Sequence, residues 1–363
     1  MERSYIKLKK LEEKNGDIEF RAEVPVELLE EYTMAALAEL AENFSLPGFR
    51  KGKVPQEKVR EHVSEMELLE DAANEALRDA MMEIAEDEKL DVIGRPQVTV
   101  TKLAPKNPLE FRVRYALFPD VSLPDYKKIG KEIFERKDPT DVTEKEVDEA
   151  LGRIQKMIAS TANVGLAPDA AKDIPAPPLI DETVKQFGNF ATIADFRAEL
   201  KRQLEQEKVL HMKDGRREEI IKEIVSRSKL KVPQLLVEQE LSEFLADRDE
   251  QLKGAKLSLE EYLKQIGKTA EQLERDERKL IEDDLRMSMV VQAIRKKEDI
   301  NADDRDVHIL IAQLKLRYPE RTESELHRTA EAMIVQNKLF ALFEGAEAKE
   351  LKDGGVTDVL KSE

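Results

Sequence analysis

The residues best placed to do chemistry lie together between positions 45 and 55, which read Ser45-Leu46-Pro47-Gly48-Phe49-Arg50-Lys51-Gly52-Lys53-Val54-Pro55. A glycine-bracketed basic loop invites comparison with a phosphate cradle. That chemistry needs four residues between the glycines' outer positions and a Ser or Thr after the lysine to meet magnesium. Here only Phe49, Arg50 and Lys51 separate Gly48 from Gly52, and Val54 follows Lys53. What remains is an aromatic flanked by two cations, on a loop whose glycines admit positive φ and whose prolines, Pro47 and Pro55, stiffen its flanks. From Leu46 to Arg60 there are five Lys/Arg and one Glu, a local charge of +4 in a chain of net charge −17. An outward Phe beside Arg and Lys suits a polar, anionic or RNA-containing partner, with the ring as the desolvated anchor. The residues alone equally allow an ordinary basic loop with Phe49 folded inward.

The other chemistry-bearing side chains point to solvated surfaces. His62, His211, His308 and His327 stand in no metal-ligand spacing. The many carboxylates recur at helical spacing beside Lys and Arg, the pattern of exposed i,i+4 pairing. Cysteine is absent, which excludes disulfides, thiol nucleophiles and cysteine-held zinc. No metal or cofactor is expected. In 363 residues, 38% charged against 5% aromatic favours long solvated helices over one dense globule. An acidic chain is repelled by phosphate backbones overall, so DNA is not expected as a partner. No apolar run approaches the ~18 residues of a membrane span, and Met1 to Gly16 lacks a signal-peptide core. A cytoplasmic protein away from membranes is expected.

The loop needs a frame, and the first 120 residues supply one of mixed α and β type. Ile18, Phe20, Ala22 and Val24 alternate with charged residues, as in a strand with one buried face. Asn15-Gly16 predicts a hairpin turn back to a strand over Tyr5 to Glu12. Val98 and Val100 mark a third strand; Leu109, Phe111, Val113, Tyr115 and Leu117 mark a fourth. Helices are predicted from Val26 to Asn43 and from a Ser64/Glu67 capping box, the second burying Leu69, Ala73, Leu77, Ala80 and Ile84. This order predicts an antiparallel sheet with helices on one face. Residues 121–138 read as an extended, proline-punctuated linker, followed by a helix opened by a Thr143/Glu146 box and a Val142/Val147 staple. Residues 161–178 are Ala/Pro-rich without periodicity. After Leu179 the expectation is an elongated all-α domain with helices over 193–228, 233–253, 258–266, 269–298, 303–318 and 322–344. The reading is multidomain: 1–120, 121–160, 161–178 and 179–363.

The string GFRKGKVP, Gly48 to Pro55, resembles the signature with which trigger factors dock on the large ribosomal subunit beside the nascent-chain exit. Weaker similarity runs through Val142 to Ser160, the Asp181-Glu182-Thr183 and Phe187-Gly188 segment, Lys231-Val232-Pro233-Gln234, and Leu257 to Leu263. The resemblance implies a ribosome-associated chaperone that needs no ATP and shields nascent and unfolded polypeptides. Its contacts would be Phe49, Arg50 and Lys51, with Gly48, Gly52, Lys53 and Pro55 completing the loop, toward ribosomal protein and rRNA. Self-association as a homodimer is left open. Family members usually carry an FKBP-like prolyl isomerase where this chain has eighteen residues between Ser160 and Leu179. That activity is therefore expected to be absent. Clients are expected on narrow apolar stripes, with Met287, Met289, Leu316, Tyr318, Met333 and Phe340 as lining residues. A prolyl isomerase and a helical scaffold without ribosomal role are the competing functions.

Overall fold

The computed structural model describes residues 3–162, 180–188 and 190–345. The Ala/Pro-rich segment expected over 161–178 lies, beyond Ala162, outside them.

Four strands form one antiparallel sheet in the order β1-β2-β4-β3: β1 Ile6–Lys14, β2 Asp17–Val24, β3 Val92–Lys102 and β4 Leu109–Leu117. The predicted hairpin turn is present, with Asn15 at φ +54° and Gly16 at φ +81°. The alternation in β2 and β4 translates directly into burial: Ile18, Phe20, Ala22 and Val24 share one buried face with Leu109, Phe111, Val113 and Tyr115. Against this face lie α1 (Val26–Asn43) and α3 (Glu65–Asp87), with the one-and-a-half-turn α2 (Gln56–Arg60) between them in the chain. Ala72, Ala73, Ala76 and Ala80 keep the face of α3 small, so the helix packs close to the aromatic rings of Phe20 and Phe111. The Tyr115 hydroxyl donates to the Met81 carbonyl at 2.7 Å, so the ring is buried without an unsatisfied polar tip. Ser64 caps α3 by accepting from the Met66 amide at 3.3 Å; the reciprocal Glu67 bond expected for a full capping box is not formed.

Beyond the sheet the described chain is helical: α4 Tyr126–Phe134, α5 Glu144–Ala162, α6 Asp181–Val184, α7 Ile193–Arg227, α8 Gln234–Gly254, α9 Leu259–Ile266, α10 Ala270–Glu298, α11 Asp304–Arg317 and α12 Glu323–Phe343. The capping boxes at Thr143/Glu146, Ser258/Glu261, Thr269/Gln272 and Thr322/Glu325 all close. The stretch 121–138, expected to be extended, instead contains α4. Asp125 caps it by accepting from the Lys128 amide at 3.1 Å, and Tyr126 and Ile129 are buried. Burial of that short apolar face outweighs the extended bias of the two preceding prolines.

The chain divides into two compact units, each built from two segments: Met1–Leu123 with Ser228–Ile294, and Pro124–Arg227 with Arg295–Glu363. In the first, α8 joins the sheet. Asp17, 5% exposed, accepts from the Leu235 amide at 3.1 and 3.2 Å and from Arg114 Nη2 at 2.6 Å. The first turn of α8 has free amides and no side-chain cap of its own, so the carboxylate serves as one. Ala116, Leu235, Leu236 and Met289 close the seam with an apolar cluster. Arg248 of α8 grips the buried Glu277 of α10 through Nη1 at 3.0 and 3.1 Å. In the second unit, α11 and α12 pack through Val307, Leu310, Leu314, Leu326, Ala330 and Ile334. Gly130 of α4 lies against Phe343 so closely that a Cβ would sit 2.7 Å from its carbonyl oxygen. Val142 and Val147 are both buried beneath the start of α5, with Leu151, Val184 and Phe196.

Candidate functional site

The basic loop joins the C-terminus of α1 to the start of α2, and it is built from two successive tight turns. The Phe49 amide donates to the Leu46 carbonyl at 3.0 Å, and the Lys53 amide to the Arg50 carbonyl at 2.9 Å. Each turn has a glycine in third place with positive φ, Gly48 at +94° and Gly52 at +74°. That is the position at which a type II turn demands a residue without a Cβ, and Pro47 occupies the favoured place before Gly48. Gly52 has a second constraint. Its amide donates to the Phe44 carbonyl at 3.1 Å, and a Cβ there would lie 2.5 Å from the Glu42 carbonyl oxygen. The returning leg is thus held against the last turn of α1.

Under the loop is a separate apolar cluster of Leu37, Ala41, Val54, Val59 and Leu68, with Phe44, Leu46 and Val63 half-buried against it. Leu46 and Val54 pin the two legs, while Phe44 meets His62 edge-on at 6.3 Å between ring centroids. Phe49 is not part of this cluster; it is 44% exposed. The inward arrangement left open by the sequence is therefore not adopted. Arg50, Lys51, Lys53 and Pro55 are exposed, and among the described residues no carboxylate pairs with the three cations. Lys58 is engaged by Glu61 at 2.8 Å, whereas Arg60 on the same short helix is exposed. The tip therefore presents one ring and two unpaired cations on a constrained backbone, a geometry that loses little entropy on docking.

The six expected lining residues are divided between the two units. Met287 belongs to the first unit and is 41% exposed; Leu316 of α11 belongs to the second and is 87% exposed. Tyr318 and Met333 are half-buried against the α11–α12 core. Two of the six are corrected. Met289 is 1% exposed, inside the seam with Ala116, Leu235 and Leu236. Phe340 is 8% exposed, edge-on to Phe343 at 6.2 Å with the Arg217 guanidinium over its ring at 4.8 Å. Exposed apolar side chains outside that set of six include Phe244, Leu280 and Ile309. Leu280 precedes the buried Ile281, and only the helical phase separates them.

The four histidines lie on exposed helical or turn positions, and among the described residues no group of three or more His, Asp or Glu could hold a metal ion. Among those residues, no helix is long and apolar enough to cross a membrane.

The family model described as bacterial trigger factor protein (TF) matches residues 6–154, and the one for its C-terminus matches residues 192–341. Residues 155–191 between them are too few for a further domain of the usual size, roughly 50–250 residues. The trigger factor of Carboxydothermus hydrogenoformans is 23% identical, aligned over 84% of this chain and 90% of that protein. That of Moorella thermoacetica is 24% identical over 77% of this chain and 80% of its own. A solved structure described under promiscuous substrate recognition in folding and assembly activities of the trigger factor chaperone superposes with a TM-score of 0.53. It covers 95% of this chain and all of that one at 15% identity, a likeness of fold. With both family models matched across most of its length, this chain belongs to the trigger factor family, as a member without the middle domain.

Proposed function

We propose that this chain is an ATP-independent, cytoplasmic chaperone that docks beside the exit of the large ribosomal subunit and shields emerging and unfolded polypeptides. The observation that carries the reading is the tip itself: Phe49 outward, Arg50 and Lys51 unpaired, and both turns fixed by glycines. Phe49 acts as the desolvated anchor, and Arg50, Lys51 and Lys53 meet the acidic or phosphate groups around it. The test is co-sedimentation with ribosomes of a variant with Phe49, Arg50 and Lys51 replaced by Ala. All three side chains lie outside the cluster under the loop, so melting should be unchanged while pelleting falls steeply, and wild-type pelleting should weaken as salt rises. Undiminished pelleting of the folded variant would refute the assignment.

Clients are held, in this reading, by scattered exposed apolar side chains of the helices, among them Met287 and Leu316, with Tyr318 and Met333 contributing their open edges. Prolyl isomerisation is not part of the proposed function, because residues 155–191 leave no room for the domain that performs it. A proline-limited assay on a soluble peptide should show no rate above the uncatalysed one.

A further inference from the structure

We infer that the open edge of the sheet, strand β3 from Gln97 to Lys102, binds an extended client segment as a fifth strand, and that it prefers segments alternating β-branched and acidic residues. The inference rests on the chaperone reading but places client contact on the sheet, where no exposed apolar helix is needed.

The two edges of the sheet differ in kind. β1 is guarded: six of its nine residues are Lys or Glu, its pairing with β2 is broken at two places, and Lys7 sits at φ +54°. Charges and irregularity of this sort keep a strand from being paired on its free side. β3 is different. From Gln97 to Val100 it runs in unbroken register with Arg114, Val113, Arg112 and Phe111 of β4. Its sequence there is Val98-Thr99-Val100-Thr101, all β-branched, and residues 99–102 are exposed. Only the earlier end is covered, where Gln239 Nε2 donates to the Arg95 carbonyl at 2.9 Å. Among the described residues nothing bonds the free side of residues 97–101.

The faces set the occupant's chemistry. On one side Val100, 42% exposed, prolongs the apolar face beyond the half-buried Val98 and Leu103. On the other, Thr99 pairs with Arg112, and Arg95 and Lys102 stand at the ends. No carboxylate occurs between Val92 and Lys102; Glu110, opposite Lys102, is already held by Arg21 at 2.5 Å. An added strand therefore meets an apolar face and a basic one, and alternating apolar and acidic side chains satisfy both. A second copy of this chain satisfies them poorly. Two copies of this strand would each bring Arg95 and Lys102 to a partner that has no carboxylate between Val92 and Lys102, and like charges across strands are destabilising.

The test uses the full chain and a fluorescent heptapeptide, Glu-Val-Glu-Val-Glu-Val-Glu, with its Lys-for-Glu counterpart and two forms N-methylated along one edge or the other. Binding is read by anisotropy and by amide hydrogen exchange. Expected results are saturable binding of the acidic peptide, protection of Val98 to Thr101, and about tenfold weaker binding of the basic peptide. Methylation of one edge should abolish binding while methylation of the other leaves it. Val100→Glu should weaken binding about tenfold yet pellet with ribosomes like the wild type. Equal binding of both methylated forms or of both charge patterns overturns the proposal, as does protection confined elsewhere. Concentration-dependent protection of Val98 to Thr101 without peptide would assign the edge to a second copy and overturn it likewise. If Val100→Glu binds peptide as the wild type does while still pelleting, the edge proposal fails and the docking reading stands.

Discussion

Replacing Gly52 by Ala should weaken ribosome docking more than any other single change in the loop that leaves Phe49, Arg50 and Lys51 in place. At φ +74° an alanine costs about 1–2 kcal/mol in backbone strain alone. Its Cβ would also lie 2.5 Å from the Glu42 carbonyl oxygen, which belongs to the last turn of α1 and cannot swing aside as a side chain can. Relieving that contact means moving the leg away and breaking the Gly52 amide bond to the Phe44 carbonyl, worth about 1 kcal/mol net. A loss of roughly 2–3 kcal/mol lowers the ratio of the docking arrangement to its alternatives by roughly 30- to 150-fold, and the apparent Kd rises by up to the same factor. Gly48→Ala is the internal control. It has positive φ too, but nothing lies within 4 Å of its Cβ, so only the backbone cost of about 1–2 kcal/mol applies. Quantitative co-sedimentation should rank the wild type first, Gly48→Ala second and Gly52→Ala last. Binding of Gly52→Ala within about twofold of wild type, or a reversed ranking of the two variants, would refute the argument that the returning leg fixes the tip.

Asp17→Ala removes the carboxylate from between Arg114 and the Leu235 amide; it should destabilise the first unit by about 3–5 kcal/mol in denaturant unfolding, and a loss under 1 kcal/mol would mean the seam holds without it. Met289→Ala should cost about 2–5 kcal/mol, whereas Leu316→Ala should leave stability within ~0.5 kcal/mol and weaken suppression of client aggregation; similar melting losses for both would contradict their burial. Glu146 is held down at about 2 from an ordinary 4.5 by the Thr143 amide, then by the Thr143 hydroxyl and Lys208. The folded form of this acid is the stronger one, so its contribution is complete above 4.5 and is lost as pH falls toward 2. Thermal unfolding of Glu146→Gln should therefore fall less steeply across that range than that of the wild type; coincident slopes would remove the capping box from the acid response.

Local chemistry was legible where its cause is local. The strand alternation at Phe20 and Phe111, the capping boxes other than that of Ser64 and Glu67, and the positive φ of Gly48 and Gly52 each depend on residues a few positions apart, and each is present. Helix α4 was hidden because Pro119 and Pro124 suggest extended chain, although Asp125 as a cap and Tyr126, Ile129 and Ile133 at helical spacing carry the opposite signal. Met289 could have been recognised as core, since it continues the stripe of Ile281 and Leu285 at four-residue intervals, while Met287 faces away from that stripe. Asp17 was readable as a charged residue at the start of a strand but not as an anchor. Its partner is an amide 218 positions downstream, and no periodicity encodes that.

That separation sets a schedule for the protein's own birth. Asp17 leaves the ribosome long before Leu235 is made: at ~5–20 residues per second the interval is roughly 10–40 s. During it the strands can pair and the loop can take shape, but the carboxylate has no amide to accept from and Ala116 has no Leu235 or Leu236 to cover it. The seam is zipped only when the second stretch of the unit, Ser228–Ile294, arrives. A product cut short anywhere between the sheet and residue 235 would keep that seam raw, and a newly made copy passes through the same unfinished stage as the chains it tends.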